Sequence, residues 1–196
     1  MANSHRIRIV GGDWKRTPLA VPDVAGLRPT PDRVRETLFN WLGQRLDGLS
    51  CLDAFAGSGS LGLEAASRGA ARVVMIERDR TAVSALRRAI ERLGARQVEL
   101  VRADALAEFE RRIRAGQRFE VVFLDPPFGQ GLLERALDAL PALLAPGATI
   151  YVESEAARVS PPGFHVVRAD RAGRVHYHLL RQDGDPGSRH AGRQRA

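Results

Sequence analysis

From Ser50 onward, short apolar runs alternate with amphipathic stretches, and this alternation leaves few folds open to the chain. Cys51–Phe55, Val73–Ile76, Val98–Val101, Val121–Leu124 and Thr149–Val152 read as buried strands. Between them Leu61–Ser67, Arg80–Leu93, Leu106–Ile113 and Leu132–Leu144 carry helical patterns. Strand, helix and strand in series make βαβ units, so the expected fold is α/β, a mainly parallel sheet with helices on both faces. Phe164–Arg168 and Arg174–Leu180 read as two more strands joined by a turn at Gly173. Upstream, Gly11, Gly12, Pro18, Pro22, Gly26 and Pro29 favour short strands and turns. A helix is expected next, with Thr30 as N-cap, Pro31 at N1 and Asp32 in the first turn. Val34, Leu38, Trp41 and Leu42 then share one face. The expected organisation is an N-terminal β/helix extension over 1–48, the α/β domain over 49–181, and a frayed polar tail over 182–196.

A chain of 196 residues, 44% hydrophobic, can bury a core without disulfides or metal. Its single cysteine, Cys51, excludes an internal disulfide and a cysteine-built metal site, and no metal is expected. No apolar run approaches the roughly 20 residues of a spanning helix. Met1–Val10 is polar and basic, without the apolar core of a signal peptide. These features fit a cytoplasmic protein with no membrane partner, and a monomer is the default expectation. The net charge is +7, and of the 30 cations all but Lys15 are arginines. Such a balance suits a polyanion, because the guanidinium fork can bind two phosphate oxygens.

In an open α/β sheet, ligands bind beyond the carboxyl ends of the strands. The first strand runs into Asp53-Ala54-Phe55-Ala56-Gly57-Ser58-Gly59-Ser60-Leu61-Gly62. A G-x-G-x-x-G alone fits a tight turn or a dinucleotide loop equally well. Asp53, however, would repel a pyrophosphate and attract a ligand with positive charge or donors. Glu77 closes the second strand and can accept both hydroxyls of a ribose. Asp104 closes the third; it can accept from an adenine amine or cap the helix that follows. S-adenosylmethionine, with its ammonium, sulfonium and nucleoside and no phosphate, matches this set.

The fourth strand ends in Asp125-Pro126-Pro127-Phe128. Two prolines stop the ladder and leave carbonyls free as acceptors. Asp125 adds a carboxylate and Phe128 a flat face. Together they suit an amino group on a planar base. The amine lone pair of a nucleobase is delocalised into its ring; accepting from both amino hydrogens favours a pyramidal, nucleophilic nitrogen. The rest is in-line placement, on a base that has left its stack. Asp125 accepting from two neighbouring donors leans toward guanine, with N6 of adenine in DNA or RNA as the alternative. Methylation at carbon five of cytosine would need a cysteine nucleophile, and Cys51 lies within a strand. A nicotinamide-type oxidoreductase is disfavoured by Asp53 and by Asp125–Phe128, and a non-catalytic RNA-binding module by the acids at every strand end.

The glycine loop with its preceding acid, paired with Asp125-Pro126-Pro127-Phe128, resembles the class I, Rossmann-like amino-methyltransferases of nucleic acids. The run Gly26-Leu27-Arg28-Pro29-Thr30-Pro31-Asp32-Arg33-Val34-Arg35-Glu36-Thr37-Leu38-Phe39-Asn40-Trp41-Leu42 resembles the signature of the RsmD family, as do Gly57–Ala65 and Tyr151-Val152-Glu153. The resemblance runs from about Arg6 to Leu180. It implies a seven-stranded sheet with one antiparallel strand. It also implies methylation of N2 of guanine 966 (RNA numbering) in 16S ribosomal RNA, within an assembled or partly assembled 30S subunit. S-adenosylmethionine would be the donor and S-adenosylhomocysteine the product. Carried across, Asp53, Phe55, Ala56, Gly57, Ser58 and Gly59 would hold the methionine part of the cofactor, Glu77 the ribose, and Asp104 with Ala105 the adenine. Asp125, Pro126, Pro127 and Phe128 would grip the base. Arg28, Arg33 and Arg35 would contact RNA or close over the site.

Overall fold

The protein is described from a computed structural model, in which residues 6–24, 27, 29–155, 157 and 161–184 are described. Seven strands form one sheet: β3 (Ser50–Asp53), β4 (Arg72–Glu77), β5 (Val98–Arg102), β6 (Phe119–Leu124), β7 (Leu144–Ser154), β8 (Phe164–Ala172) and β9 (Val175–Gln182). Their order is β5-β4-β3-β6-β7-β9-β8. The strands from β5 to β7 are parallel, and β9 lies antiparallel to both β7 and β8, so one strand is reversed, as expected. A separate two-stranded ribbon pairs β1 (Arg6–Arg8) with β2 (Pro18–Ala20).

The alternation of side chains along each strand splits the core in two. Cys51, Val73, Met75, Val121, Phe123 and Tyr151 face α1 (Asp32–Leu42), α2 (Gly62–Ser67) and α3 (Arg80–Leu93), with Leu38, Leu63 and Leu86 in the same apolar cluster. Leu52, Val74, Ile76, Val122, Leu124 and Ile150 face α4 (Ala105–Arg114) and α5 (Leu132–Ala139), packing with Phe109, Ala136 and Leu137. Cover on both faces is why these strands read as unbroken apolar runs. The N-terminal extension adds Ile9, Leu19, Val34 and Leu46 to the first cluster.

Three local expectations change. Helix α5 stops at Ala139, and a 3₁₀ turn (Leu140–Leu143) follows with Pro141 near its start, because proline has no N–H to continue the α ladder. Thr30 does not cap α1; Pro31 holds the cap position without a side-chain bond, and the Thr30 hydroxyl goes elsewhere. Gln182 still pairs with Phe164, and the Asp183 N–H donates to the Gly163 carbonyl, so the sheet outlasts the expected boundary at 181. The rest of the expected tail, residues 185–196, lies outside the described residues.

Candidate active site

From β3 the chain builds outward through β4 to β5, then returns to β6 on the other side of β3. The order therefore reverses between β3 and β6, where an α/β sheet opens a crevice at its carboxyl edge. Asp53 is the last residue of β3 and pairs with Phe123. On the neighbouring strands the last β6–β7 pair is Leu124 with Val152. Asp125 and Glu153 stand one residue beyond it, so three acids meet at adjacent strand tips.

Asp53 is buried, and its Oδ2 accepts from the Gly62 N–H at 2.8 Å. Burial, reinforced by the charge of Glu77, pushes its carboxyl up to about 7 despite backbone hydrogen bonds from Gly62 and Phe55. A Cβ on Gly62 would come within 2.9 Å of that Oδ2, and one on Gly59 (φ +81°) within 2.6 Å of Leu86. Both glycines are thus demanded by packing. Gly57 has φ +53°, and a Cβ there would make only ordinary contacts, with Leu27 at 3.7 Å and the Phe55 carbonyl at 3.9 Å, so it serves the turn itself. Phe55 packs against the second apolar cluster, while Ala56 and Ser58 are buried within the loop.

Glu77 ties the loop to the tip of β4. Its Oε2 accepts from the Gly57 N–H at 2.8 Å and its Oε1 from the Asp79 N–H at 2.7 Å. A carboxylate oxygen has a second lone pair, so both remain able to accept from hydroxyls. Asp104 is the N-cap of α4, its Oδ1 accepting from Leu106 and Ala107, and buried Ala105 opens that helix.

Strand β6 ends at Leu124, immediately before Asp125, Pro126 and Pro127. Phe128 is 40% exposed and is the one exposed large apolar side chain among the described residues. A cavity of about 220 Å³ lies beside it, lined among others by Pro126, Pro127, Leu133, Glu153 and Ser154. That is below the roughly 300–1,000 Å³ of a pocket for a whole ligand, and suits one planar ring system. Burial raises the Asp125 carboxyl well above its usual range, and the charges of Glu153 and Asp53 add to this. Glu153 is also raised by burial, against hydrogen bonds from Tyr151 (2.8 Å) and Thr30 (3.1 Å), both to Oε1.

Asp53, Asp125 and Glu153 form no ion pair among the described residues. Buried acids close together and without a cation favour a positively charged ligand. Acceptors at the tips of β4 and β5 add sites for ribose hydroxyls and an amine. The donor chemistry thus fits S-adenosylmethionine. Glu153 was not among the residues picked from sequence as site groups, although its signal was there: like Asp53 and Glu77, it is an acid closing an apolar strand.

The arginines divide. Arg28 lies outside the described residues. Arg33 is exposed on the first turn of α1, near Asp170 of β8. Arg35 corrects the expectation of an RNA contact. It is wholly buried, with Nε on the Thr30 carbonyl, one terminal nitrogen on the Arg8 carbonyl and Glu64, and the other on Asp32. A guanidinium so engaged has no face for phosphate. Cys51 is buried and its thiol is pushed up to about 12, chiefly by burial and then by the charges of Glu120 and Asp53, which is no environment for a nucleophile.

Comparison with known proteins agrees with this geometry. A family model described as "Conserved hypothetical protein 95" matches residues 7–181. The chain is 43% identical over 187 residues to a protein of Escherichia coli K12 named "Ribosomal RNA small subunit methyltransferase D", covering 93% of each. It is 41% identical over 179 residues to the protein of that name in Haemophilus influenzae, covering 88% of this chain and 92% of the relative. The solved structure of the Escherichia coli protein yhhF superposes with a TM-score of 0.81 at 42% identity, over 91% of this chain and 98% of that one.

Proposed function

Because the chain belongs to the RsmD family of ribosomal RNA small subunit methyltransferases, we propose that it methylates the exocyclic N2 of a guanine in 16S ribosomal RNA, the base equivalent to guanine 966. The observation that carries the reading is the meeting of Asp53, Asp125 and Glu153 at the switch point, beside exposed Phe128. No helix among the described residues is long and apolar enough to cross a membrane. The proposed setting is the cytoplasm, acting as a monomer on an assembled or partly assembled 30S subunit.

When bound, S-adenosylmethionine supplies an electrophilic methyl on a sulfonium that departs as the neutral thioether of S-adenosylhomocysteine. The chain's own residues do the rest. Asp53 and the backbone of Phe55–Gly59 hold the methionine end, Glu77 accepts from the ribose, and Asp104 with Ala105 borders the adenine. Phe128 stacks on the extruded base and replaces the neighbours it has lost. Asp125 and the Pro126 carbonyl accept from the amine, localising its lone pair. Asp53, Glu77 and Asp104 would hold the cofactor with its methyl presented to that lone pair. The surplus proton leaves the nitrogen along its hydrogen bond to the Asp125 carboxylate, which accepts it. Arg33 and residues around Arg28 are proposed to meet the RNA backbone.

The test is methyl transfer from labelled S-adenosylmethionine to small subunits lacking the modification, followed by mass mapping of the product. The expected product is a single N2-methylguanine. Label on an adenine N6 would overturn the base assignment, and no label at all would overturn the activity.

A further inference from the structure

Glu153 is the one buried charged side chain that lines the cavity beside Phe128, and the methyl-transfer step described above leaves it without a task. It is set with care. β7 pairs with β6 as far as Val152, and Glu153 itself pairs with Tyr177 of β9, so its backbone is held by the sheet on the β9 side, one residue past the last β6 pair. Tyr151, wholly buried, donates to Oε1 at 2.8 Å, and Thr30, ahead of α1, donates to the same oxygen at 3.1 Å. Both hydroxyls meet Oε1, which leaves Oε2 for a donor from the cavity. Burial raises the Glu153 carboxyl, and these two bonds oppose that shift without reversing it. Asp125 occupies the neighbouring strand tip, and adjacent strands lie about 4.8 Å apart. Two carboxylates side by side can therefore take two neighbouring donors on one edge of a base.

We propose that Glu153 is the base-selecting residue, accepting the N1–H of the target guanine through Oε2 while Asp125 accepts from its N2 amine. The inference rests on the guanine reading above and deepens it. A purine with an unprotonated N1 would set a lone pair against a carboxylate. It would lose a hydrogen bond and gain a repulsion, and sites built around a donor reject analogues lacking it strongly. Thr30 and Tyr151 act as positioning residues, since they hold Oε1 and so decide which oxygen faces the base.

The test uses 2-aminopurine, which keeps the N2 amine but has a lone pair at N1. It is placed at the target position of 16S RNA by ligation and reconstituted into small subunits. The wild-type protein is expected to prefer guanine over 2-aminopurine by about tenfold or more in kcat/KM. In Glu153→Gln the amide oxygen can keep both hydroxyl bonds and turn its NH2 into the cavity. That group donates to N1 of 2-aminopurine and opposes N1–H of guanine, so the preference is expected to fall below about threefold or to invert. Loss on both bases in equal proportion would overturn the proposal and leave Glu153 a structural group. Equal wild-type rates on the two bases would overturn it without recourse to any variant, so a folding defect cannot hide the answer. Wild-type transfer to adenine would instead sink the guanine reading beneath it, which is a distinguishable failure.

Discussion

Glu64 and Glu108 lie as deep in the molecule as Asp53 and Glu153, but the first two meet arginines and the others do not. Glu64 takes Arg35 at 3.1 Å and Arg68 at 2.8 Å, joining α1 to α2. Glu108 takes Arg111 at 2.6 Å and Arg112 at 2.7 Å, and buried Arg112 reaches on to Glu99 of β5 at 2.6 Å. Hydrogen bonding to Arg111 holds Glu108 below its usual range, and Arg112 foremost, with Arg72, holds Glu99 down at about 2. At the strand tips the direction is reversed: Asp53, Asp125 and Glu153 are all raised. Burial alone therefore does not mark a functional acid. Paired acids bolt helices onto the sheet; acids without a cation await a ligand that brings a positive charge or hydrogen-bond donors.

The contrast can be broken at either end. The largest effect is expected from Arg35→Met, which leaves Glu64 buried with one of its two arginines gone. A loss of about 3–5 kcal/mol in unfolding free energy should appear in urea titration. A variant of unchanged stability but weakened RNA binding would return Arg35 to the substrate surface. Next comes Asp125→Ala, for which methyl transfer should fall by at least about a hundredfold. Calorimetric affinity for S-adenosylmethionine and the thermal midpoint should hold. Near-full rates would remove Asp125 from the reaction. The smallest effect belongs to Glu99→Gln, because that carboxylate is partly exposed; below about 1 kcal/mol at pH 7 is expected. Its pH signature is sharper. Glu99 is depressed in the fold, so its contribution is present above about pH 4.5 and fades as pH falls toward 2. The variant should flatten that acid limb, and an unchanged limb would contradict the pairing.

The sequence carried the sheet because its central strands, β3, β4, β6 and β7, are buried on both faces and read as short unbroken apolar runs. Asp53, Glu77, Asp104 and Asp125 stood out in it because each lies at or just past the end of a strand. Arg35 was misplaced although its spacing from Leu38 and Leu42 sets it on the inward side of α1, because nothing local announces the partner that lets a guanidinium be buried there: Glu64 lies 29 residues away. Thr30 was misread for a similar reason. Its local pattern is that of a cap, while its hydroxyl serves Glu153, 123 residues on. Long-range pairing of polar groups has no short-range signature, whereas strand-end acids have one, and Glu153 could have been taken by the same rule.

The central claim is that Asp53, buried at the tip of β3 without a cation, is held for a cationic nucleoside while Asp125 and Glu153 await the donors of a base, and proton release on cofactor binding tests it most directly. Asp53 sits near 7 without ligand, and a raised acid favours the folded state most below its ordinary value of 3.8, losing that advantage as pH rises through 7. A cation arriving at pH 7 must then expel the fraction of a proton that Asp53 still carries. Calorimetry of S-adenosylmethionine binding in buffers of differing ionisation enthalpy should record that release, with affinity rising from pH 6 to 8 and levelling above. Binding with no proton released, and with affinity flat across that range, would contradict the account.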